Sequence, residues 1–340
     1  MKFQNEYELN EALSAPDASL IARMGQIDGD IMILGAGGKV GPALSVMAKR
    51  ASDAAGEKRR VYAVSRFTDP YVTEYLRAEG VEMISADLTD EAQIRALPKV
   101  KNIIFALGRK FGTGKEACET WQINVGVPAL VTRHFGDANY VVFSTGNVYP
   151  MRTPAEGGCD ENTPTAPVGE YAMTSLGRER IFEYAAKHFG AKVLLFRLNY
   201  AVDLRYGVLY DISERIRNGE PVSLHVPAIN CGWQRYVNAA AIGALTMTSS
   251  AVEILNVTGP EQYSTREAAE KLGEALGMPV SFLDDEGDCG LLSDAGKCIR
   301  AFGMPDVTVD EMIRMQAEWM LSGGRHLDKP THFQETRGNF

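Results

Sequence analysis

A glycine-rich stretch near the N-terminus, "ILGAGGKVG", has the residue types and spacing of a phosphate-binding turn. Gly35, Gly38 and Gly41 follow an apolar run and precede a helical pattern. Glycine permits a tight turn in which backbone N–H groups approach a pyrophosphate, and the helix dipole favours its charge. The stretch therefore predicts a dinucleotide site that also includes Lys39 and Val40, the alternative being a tight turn without a ligand.

The residues after the second predicted strand bear on which dinucleotide would bind. An NAD site normally offers a carboxylate there to the ribose hydroxyls, whereas this chain has Ser65 and Arg66. A guanidinium pairs with a 2′-phosphate that a carboxylate would repel. The pair favours NADP over NAD, although a solvated loop arginine would give the same sequence.

The elements that would position these residues alternate in type. Short β-branched runs alternate with helical patterns, which is typical of βαβ units and a parallel sheet. The predicted strands are 30–35, 61–65, 81–85, 102–106, 140–144 and 192–197. We therefore predict an α/β fold with a Rossmann-like doubly wound parallel sheet and a smaller mixed α/β C-terminal domain.

Three segments follow from this pattern. We expect an N-terminal helical extension over 1–29, an NAD(P)-binding Rossmann domain over 30–200, and a substrate-binding region over 201–340 that partly returns to the core sheet. In the last region, a helix ending at Asn218-Gly219 should be followed by a short strand. The polar C-terminal tail would be ordered only by docking.

Composition excludes several classes of function. The chain has 340 residues, 45% of them hydrophobic, and its net charge of -9 argues against binding to nucleic acid. Its five cysteines lack C-x-x-C spacing and its histidines lack metal spacing, so we expect no disulfide framework and no metal site. Without a membrane-length apolar run or a signal-peptide pattern, a cytoplasmic protein with a small-molecule substrate is expected.

The order of motifs along nearly the whole chain resembles the extended short-chain dehydrogenase/reductase superfamily, the NAD(P)-dependent epimerase/dehydratase family. Asp87 in "ADLTD" matches the aspartate that contacts adenine, and Leu88 follows it. Ala106 in "NIIFALG" matches the strand end against the cofactor, and Asn124 in "INVGVPAL" matches a helix asparagine. The resemblance implies that all four belong to the cofactor site.

The same resemblance identifies catalytic residues. Thr145 in "FSTGNVY" has the spacing of the family's catalytic hydroxyl, and Tyr171 in "GEYAMTSLGRER" matches its catalytic tyrosine. A phenol ionises at about pH 10, and in the family a lysine one turn later favours the phenolate and holds the nicotinamide ribose. Here that position is Ser175, which makes the chain atypical. We expect Ser175 to contact the ribose and Arg178, on the same helix face, to favour the phenolate electrostatically.

Substrate contacts are expected on the same side of the sheet. The family's Arg-x-x-Asn segment corresponds to "FRLNY", so either Asn199 or Tyr200 occupies the substrate-facing place. The resemblance implies further contacts from Asn147, Arg205 and Gln234.

The loop after the fourth predicted strand, "GRKFGTGKEA", carries Lys110 and Lys115. It lies at the carboxyl end of the sheet, where ligands bind in such folds. These lysines could hold an acidic substrate or cofactor, or they could be solvated.

The resemblance implies an NAD(P)-dependent oxidoreductase, epimerase or dehydratase that acts on a sugar, sugar acid or nucleotide sugar. Hydride transfer would be coupled to proton transfer through Tyr171. Because the family commonly pairs two subunits through the helices after strands four and five, a homodimer is expected. The missing lysine motivates a second hypothesis, a dinucleotide-binding sensor or scaffold that has lost redox catalysis.

Overall fold

The strands form one large sheet and two short pairs in the computed structural model, which describes residues 1–110, 116–327 and 331–338. In chain order they are β1 (Ile31–Leu34), β2 (Val61–Ser65), β3 (Glu82–Ser85), β4 (Asn102–Phe105), β5 (Asn139–Thr145), β6 (Lys192–Leu198), β7 (Ala201–Val202), β8 (Ala228–Ile229), β9 (Gly232–Trp233), β10 (Glu253–Val257) and β11 (Tyr263–Ser264). The large sheet is parallel, with the order β10-β6-β5-β4-β1-β2-β3.

Helices cover both faces of this sheet and build the C-terminal part of the molecule. They are α1 (Glu6–Ser14), α2 (Ala18–Met24), α3 (Gly41–Ala54), α4 (Pro70–Ala78), α5 (Glu91–Arg95), α6 (Ala117–Trp121), α7 (Val127–Phe135), α8 (Gly169–Phe189), α9 (Val208–Arg217), α10 (Gln234–Gly243), α11 (Thr265–Leu276), α12 (Gly296–Phe302) and α13 (Val309–Leu321). Within the described ranges, no helix is both long and apolar enough to cross a membrane.

Alternation along the buried strands divides the core between the two faces. In β1, Ile31 and Ile33 pack in the cluster that contains residues of α3 and α10, whereas Met32 and Leu34 pack in the cluster of α7 and α8. All four side chains are buried, as expected for a parallel strand with helices on both sides. The predicted Rossmann-like doubly wound α/β fold is confirmed.

A third cluster joins the two ends of the chain. It contains Leu9 and Leu13 of α1 with side chains from α9, α11 and α13. Phe3 stacks on Trp233, with ring centres 6.5 Å apart. Phe333, in the C-terminal tail, is also buried in this cluster.

One helical segment is irregular, and one local expectation was wrong. A π-helical turn, Gln122–Gly126, separates α6 from α7, because Pro128 has no N–H to continue the regular hydrogen-bond ladder. The short strand predicted after Gly219 is reduced to an isolated bridge between Val222 and Phe282. Pro221 cannot donate there, and the backbone N–H of Leu224 is taken by the Asp285 carboxylate.

A buried ion pair ties α8 to the sheet. Two nitrogens of Arg197 donate to the two carboxylate oxygens of Glu179, at 2.9 and 2.7 Å. The Ser144 hydroxyl donates to the same carboxylate at 2.5 Å. Both charged side chains are almost fully buried, so each depends on the other for charge compensation.

Glu179→Gln is expected to lower the free energy of unfolding by about 3 kcal/mol, because it leaves the charge of Arg197 buried and unpaired. Urea denaturation followed by circular dichroism measures this change. Glu183→Gln is the matched control on the same helix, because its ion pair with Arg180 is partly exposed and should contribute less than about 1 kcal/mol. Equal effects of the two substitutions would contradict the anchoring role of Glu179.

Candidate functional site

One pocket at the carboxyl edge of the sheet is lined by residues predicted to bind the cofactor, to bind the substrate and to act in catalysis. Its lining comes from the ends of β5 and β6, the starts of α8 and α10, and the turn before α3. In a parallel sheet these ends share one edge, which is where such folds bind ligands. The predicted residues among the lining are Lys39, Val40, Thr145, Asn147, Tyr171, Asn199, Tyr200 and Gln234.

The glycine-rich turn has the shape that a dinucleotide phosphate requires. Gly35 has a φ of +92°, and a Cβ there would lie 2.7 Å from the backbone nitrogen of Leu107. A Cβ at Gly41 would collide with the backbone of Ala36, so glycine lets α3 begin close against the strand. A Cβ at Gly38 would meet only the carbonyl oxygen of Gly35, at 3.3 Å, so the space beside Gly38 is otherwise open. The turn therefore fits the dinucleotide that the sequence predicts.

The residues expected around the adenosine lie at the ends of β2, β3 and β4. Ser65 ends β2 with its hydroxyl against Gly37, and Arg66 is exposed. The Asp87 carboxylate accepts hydrogen bonds from the Thr89 amide and hydroxyl, at 2.9 and 2.8 Å. These bonds, aided by the charge of Arg66, hold the pKa of Asp87 below its usual value. The two apolar members, Leu88 and Ala106, are buried and partly buried, respectively.

The Thr145 hydroxyl is oriented by its neighbour. It accepts hydrogen bonds from the backbone nitrogen and the side-chain nitrogen of Asn147, at 3.2 and 3.0 Å. Two bonds saturate the acceptor capacity of a hydroxyl, which leaves its hydrogen to donate. Among the described residues no acceptor is recorded for that hydrogen, and Thr145 lines the pocket. Thr145 is thus arranged to donate to a ligand oxygen.

Asn124 holds the loop after β4 rather than facing the pocket. Its side-chain oxygen accepts from the Arg109 backbone nitrogen at 2.8 Å, and its nitrogen donates to the Arg109 carbonyl at 3.0 Å. It also donates to the Thr174 hydroxyl at 2.9 Å and accepts from Arg178 at 2.7 Å. Protein groups therefore occupy the whole amide, and its effect on a bound cofactor would be indirect.

Arg178 is directed into the protein. Its guanidinium donates to the Phe143 carbonyl and to Asn124, each at 2.7 Å, and burial lowers its pKa. The sequence predicts that Arg178 acts on the Tyr171 phenolate from the same helix face, but Arg178 is not among the residues that line the pocket. The buried charge needs acceptors, and β5 and Asn124 supply them.

Ser175 is fully buried on α8, one turn after Tyr171. Within the part of the chain that the structure describes, its hydroxyl has no hydrogen-bond partner. Ser175 does not line the Tyr171 pocket, so its contact with a ribose stays a prediction from the sequence.

Both alternatives for the substrate-facing position line the pocket. Asn199 donates to the Asn230 side chain at 2.9 Å and to the Leu291 carbonyl at 2.7 Å. Tyr200 adopts a φ of +41°, a conformation that a bulky residue rarely takes outside functional sites. Gln234 also lines the pocket, and its side-chain nitrogen has no partner in the described structure.

Arg205 lies apart from these residues. It donates to both carboxylate oxygens of Asp203, at 2.8 and 2.6 Å, and also bonds Glu6 and Asn10 of the N-terminal helix. It faces a neighbouring pocket beside the glycine turn. Its ion pairs with Asp203 and Glu6 anchor the N-terminal extension.

Sequence reasoning missed Tyr206 and Thr331, which line the Tyr171 pocket, and Asp211, which is bonded to Thr331. The ammonium of Lys39 lies 3.1 Å from the centre of the Tyr206 ring. Lys110 donates to the Thr331 carbonyl at 2.9 Å, and the Asp211 carboxylate accepts from the Thr331 amide at 2.7 Å and from its hydroxyl. Lys110 carried a weak signal as a loop lysine, and Lys115 lies outside the described residues. The polar tail gave no signal for Thr331.

Burial opposes charge on two of these side chains. It raises the pKa of Asp211 to about 6, against the bonds from Thr331 and the charge of Lys39. It lowers the pKa of Lys110 to about 8, which the charge of Asp211 partly offsets. Lys110 lines the pocket and Asp211 is bonded to Thr331 of its lining, and titratable groups with shifted pKa values are typical of functional sites.

The sequence matches the profile described as "NAD dependent epimerase/dehydratase family" over residues 31–222. No curated protein sequence matches the chain significantly.

Solved structures with the same fold include sugar-nucleotide epimerases. A UDP-glucuronic acid 4-epimerase from Bacillus cereus, solved with UDP-glucuronic acid and NAD, has a TM-score of 0.69 and 16% identity, over 86% of this chain and 99% of that one. A UDP-glucose 4-epimerase from Thermotoga maritima, solved with UDP-glucose, has a TM-score of 0.69 and 17% identity over the same shares. A UDP-glucose 4-epimerase from Thermus thermophilus, solved with NAD, has a TM-score of 0.68 and 18% identity, over 85% of this chain and 98% of that one.

Proposed function

Because the chain belongs to the NAD dependent epimerase/dehydratase family, a family of enzymes, we propose that it transforms a sugar, a sugar acid or a nucleotide sugar by hydride transfer. One observation carries the proposal: Thr145 and Tyr171 line the same pocket as Asn147, Asn199 and Gln234. The nucleotide sugars bound in the Bacillus cereus and Thermotoga maritima structures support a substrate of this class.

The chain's own groups would hold the dinucleotide along the sheet edge. Backbone N–H groups of the glycine turn and the start of α3 would bind the phosphates, and Ser65, Arg66 and Asp87 would bind the adenosine half. When bound, the nicotinamide supplies the hydride acceptor or donor that protein side chains lack. The exposed guanidinium of Arg66, without a carboxylate at the end of β2, supports NADP over NAD.

Proton transfer falls to the side chains of the pocket. Thr145 would donate a hydrogen bond to the reacting oxygen of the sugar, since Asn147 leaves its hydrogen available. Tyr171 would accept the proton from that oxygen and return it in the reverse step. Asn199, directly after β6, and Gln234, at the start of α10, also line the pocket and would orient the sugar.

Tyr171→Phe is expected to lower kcat by about 100-fold or more, because phenylalanine cannot exchange a proton. Native mass spectrometry of ligands that co-purify, followed by sugar acids and nucleotide sugars with NAD and NADP, would identify the substrate for this assay. Tyr184→Phe, on an exposed tyrosine of the same helix, should keep full activity. Full turnover in Tyr171→Phe would refute the proposed mechanism.

Arg66→Gln is expected to weaken NADP(H) binding by about tenfold or more and to leave NAD(H) binding nearly unchanged, because only the 2′-phosphate uses the charge. Fluorescence titration of the reduced dinucleotides measures both affinities. Arg60→Gln, an exposed arginine at the opposite end of β2, is the control. Equal loss for both dinucleotides would contradict the assignment of Arg66.

We also propose a homodimer formed through the helices after β4 and β5. Trp121 of α6 and Met173 and Tyr184 of α8 are large hydrophobic side chains that remain exposed on these helices. Multi-angle light scattering should give twice the chain mass, and a charged residue at Met173 should shift it toward the monomer. A monomeric wild-type protein would contradict this assembly.

A dinucleotide-binding sensor without redox activity is the second candidate. The uncharged Ser175 at the position of the family's lysine favours it. A substrate-dependent change in nicotinamide absorbance would exclude it.

A further inference from the structure

The helix that carries Tyr171 offers it no cation one turn away. Ser175 occupies that position, and a hydroxyl cannot stabilise a phenolate as a full charge does. Arg178 does carry a charge, but its fork is bonded to Phe143 and Asn124. A cation that stabilises the Tyr171 phenolate in the pocket therefore has to come from another element of the fold.

Lys110 brings an amine into the Tyr171 pocket from the loop after β4. Its ammonium lies 5.8 Å from the centre of the Tyr171 ring and donates to the Thr331 carbonyl at 2.9 Å. Lys110, Tyr171 and Thr145 all line the same pocket. At this separation a positive charge acts appreciably on an ionising neighbour.

The backbone beside Lys110 is fixed by residues described above. Asn124 bonds both the N–H and the carbonyl of Arg109, at 2.8 and 3.0 Å. Gly108 lies so close to Arg178 that a Cβ there would be 2.8 Å from the guanidinium. Asn124 and Arg178, which are hydrogen-bonded to each other, therefore also hold the backbone that precedes Lys110.

The charged and titratable groups around the pair come from five parts of the chain. Asp211 of α9 and His332 of the C-terminal segment face Lys110, while Arg178 of α8 and Tyr206 face Tyr171. The charge of Lys39 in turn lowers the pKa of Asp211.

The Lys110 amine changes charge within an accessible pH range. With its pKa lowered to about 8, it is mainly protonated at neutral pH and loses its charge as the pH rises through about 8. An arginine at this position would stay charged throughout.

We propose that Lys110 stands in for the missing helix lysine, as the positioning cation that favours the ionised form of Tyr171. The inference rests on the proposed function. In the step it assists, the O–H bond of the substrate breaks and the proton forms an O–H bond with the Tyr171 phenolate; Lys110 keeps its own proton. In this arrangement the cation lies on the loop after β4 rather than on α8, and it lines the same pocket as Tyr171.

The test compares Lys110→Met and Lys110→Arg in the full chain. Ultraviolet difference titration against the matching Tyr171→Phe variants isolates the tyrosinate signal of Tyr171 without any substrate. The pH dependence of kcat and KM is then measured on the identified substrate. Lys101→Met is the control, because Lys101 is an exposed lysine paired with Asp28.

In Lys110→Met, the tyrosinate signal should move to higher pH by about one unit or more, and kcat should fall about ten- to a hundredfold. In Lys110→Arg, most of kcat should remain, and its decline above about pH 8 should shift to higher pH. Introducing Ser175→Lys into Lys110→Met should restore part of kcat and return the tyrosinate signal toward lower pH.

An unmoved tyrosinate signal in a folded Lys110→Met variant would overturn the inference. A rise in KM with unchanged kcat would also overturn it, because Lys110 would then be a contact for an anionic group of the substrate. Neither result touches the proposed function, which the turnover of Tyr171→Phe tests separately.

Discussion

Two neighbouring side chains of α8, Arg178 and Glu179, hold the helix of Tyr171 against the carboxyl edge of the sheet. Glu179 is compensated by Arg197 of β6 and Ser144 of β5. Arg178 is compensated by the Phe143 carbonyl and Asn124. A buried charge without a partner is costly, so this pair of contacts selects one seating of α8. The position of Tyr171 in the pocket depends on that seating.

The pocket is assembled from distant parts of the chain. Lys39 comes from the first glycine turn, Tyr171 from the middle of the sequence, and Thr331 from the C-terminal tail. Thr331 forms hydrogen bonds with both Lys110 and Asp211. The charge of Asp211 also favours the protonated form of Lys110. The tail is therefore part of the site, and its described residues 331–338 are held by docking rather than by secondary structure.

Much of this arrangement could be predicted because its causes are local. Apolar runs and glycine spacing define the strands and the turn at Gly35, Gly38 and Gly41, since both depend on backbone sterics. The confirmed family and fold rest on that order of motifs. The π-helical turn is also local in origin, because it directly precedes α7, which has Pro128 in its first turn.

The remaining features depend on tertiary partners that periodicity cannot reveal. Helical spacing puts Arg178 on the face of Tyr171, but the acceptors on β5 and Asn124 decide where its fork points. Lys110 is positioned by bonds between Asn124 and Arg109, which join separate elements. The charge state of Asp211 follows from burial, which the sequence does not record. The site is thus predictable in its residue types and less so in their partners.

A crystal structure with NADP(H) bound would show whether Tyr171 belongs to the nicotinamide site. We expect phosphates against the backbone of Gly38 to Gly41 and the nicotinamide in the pocket of Thr145 and Tyr171, with the Lys110 ammonium still lining that pocket. A dinucleotide bound elsewhere, or a nicotinamide pocket that excludes Tyr171, would contradict this expectation.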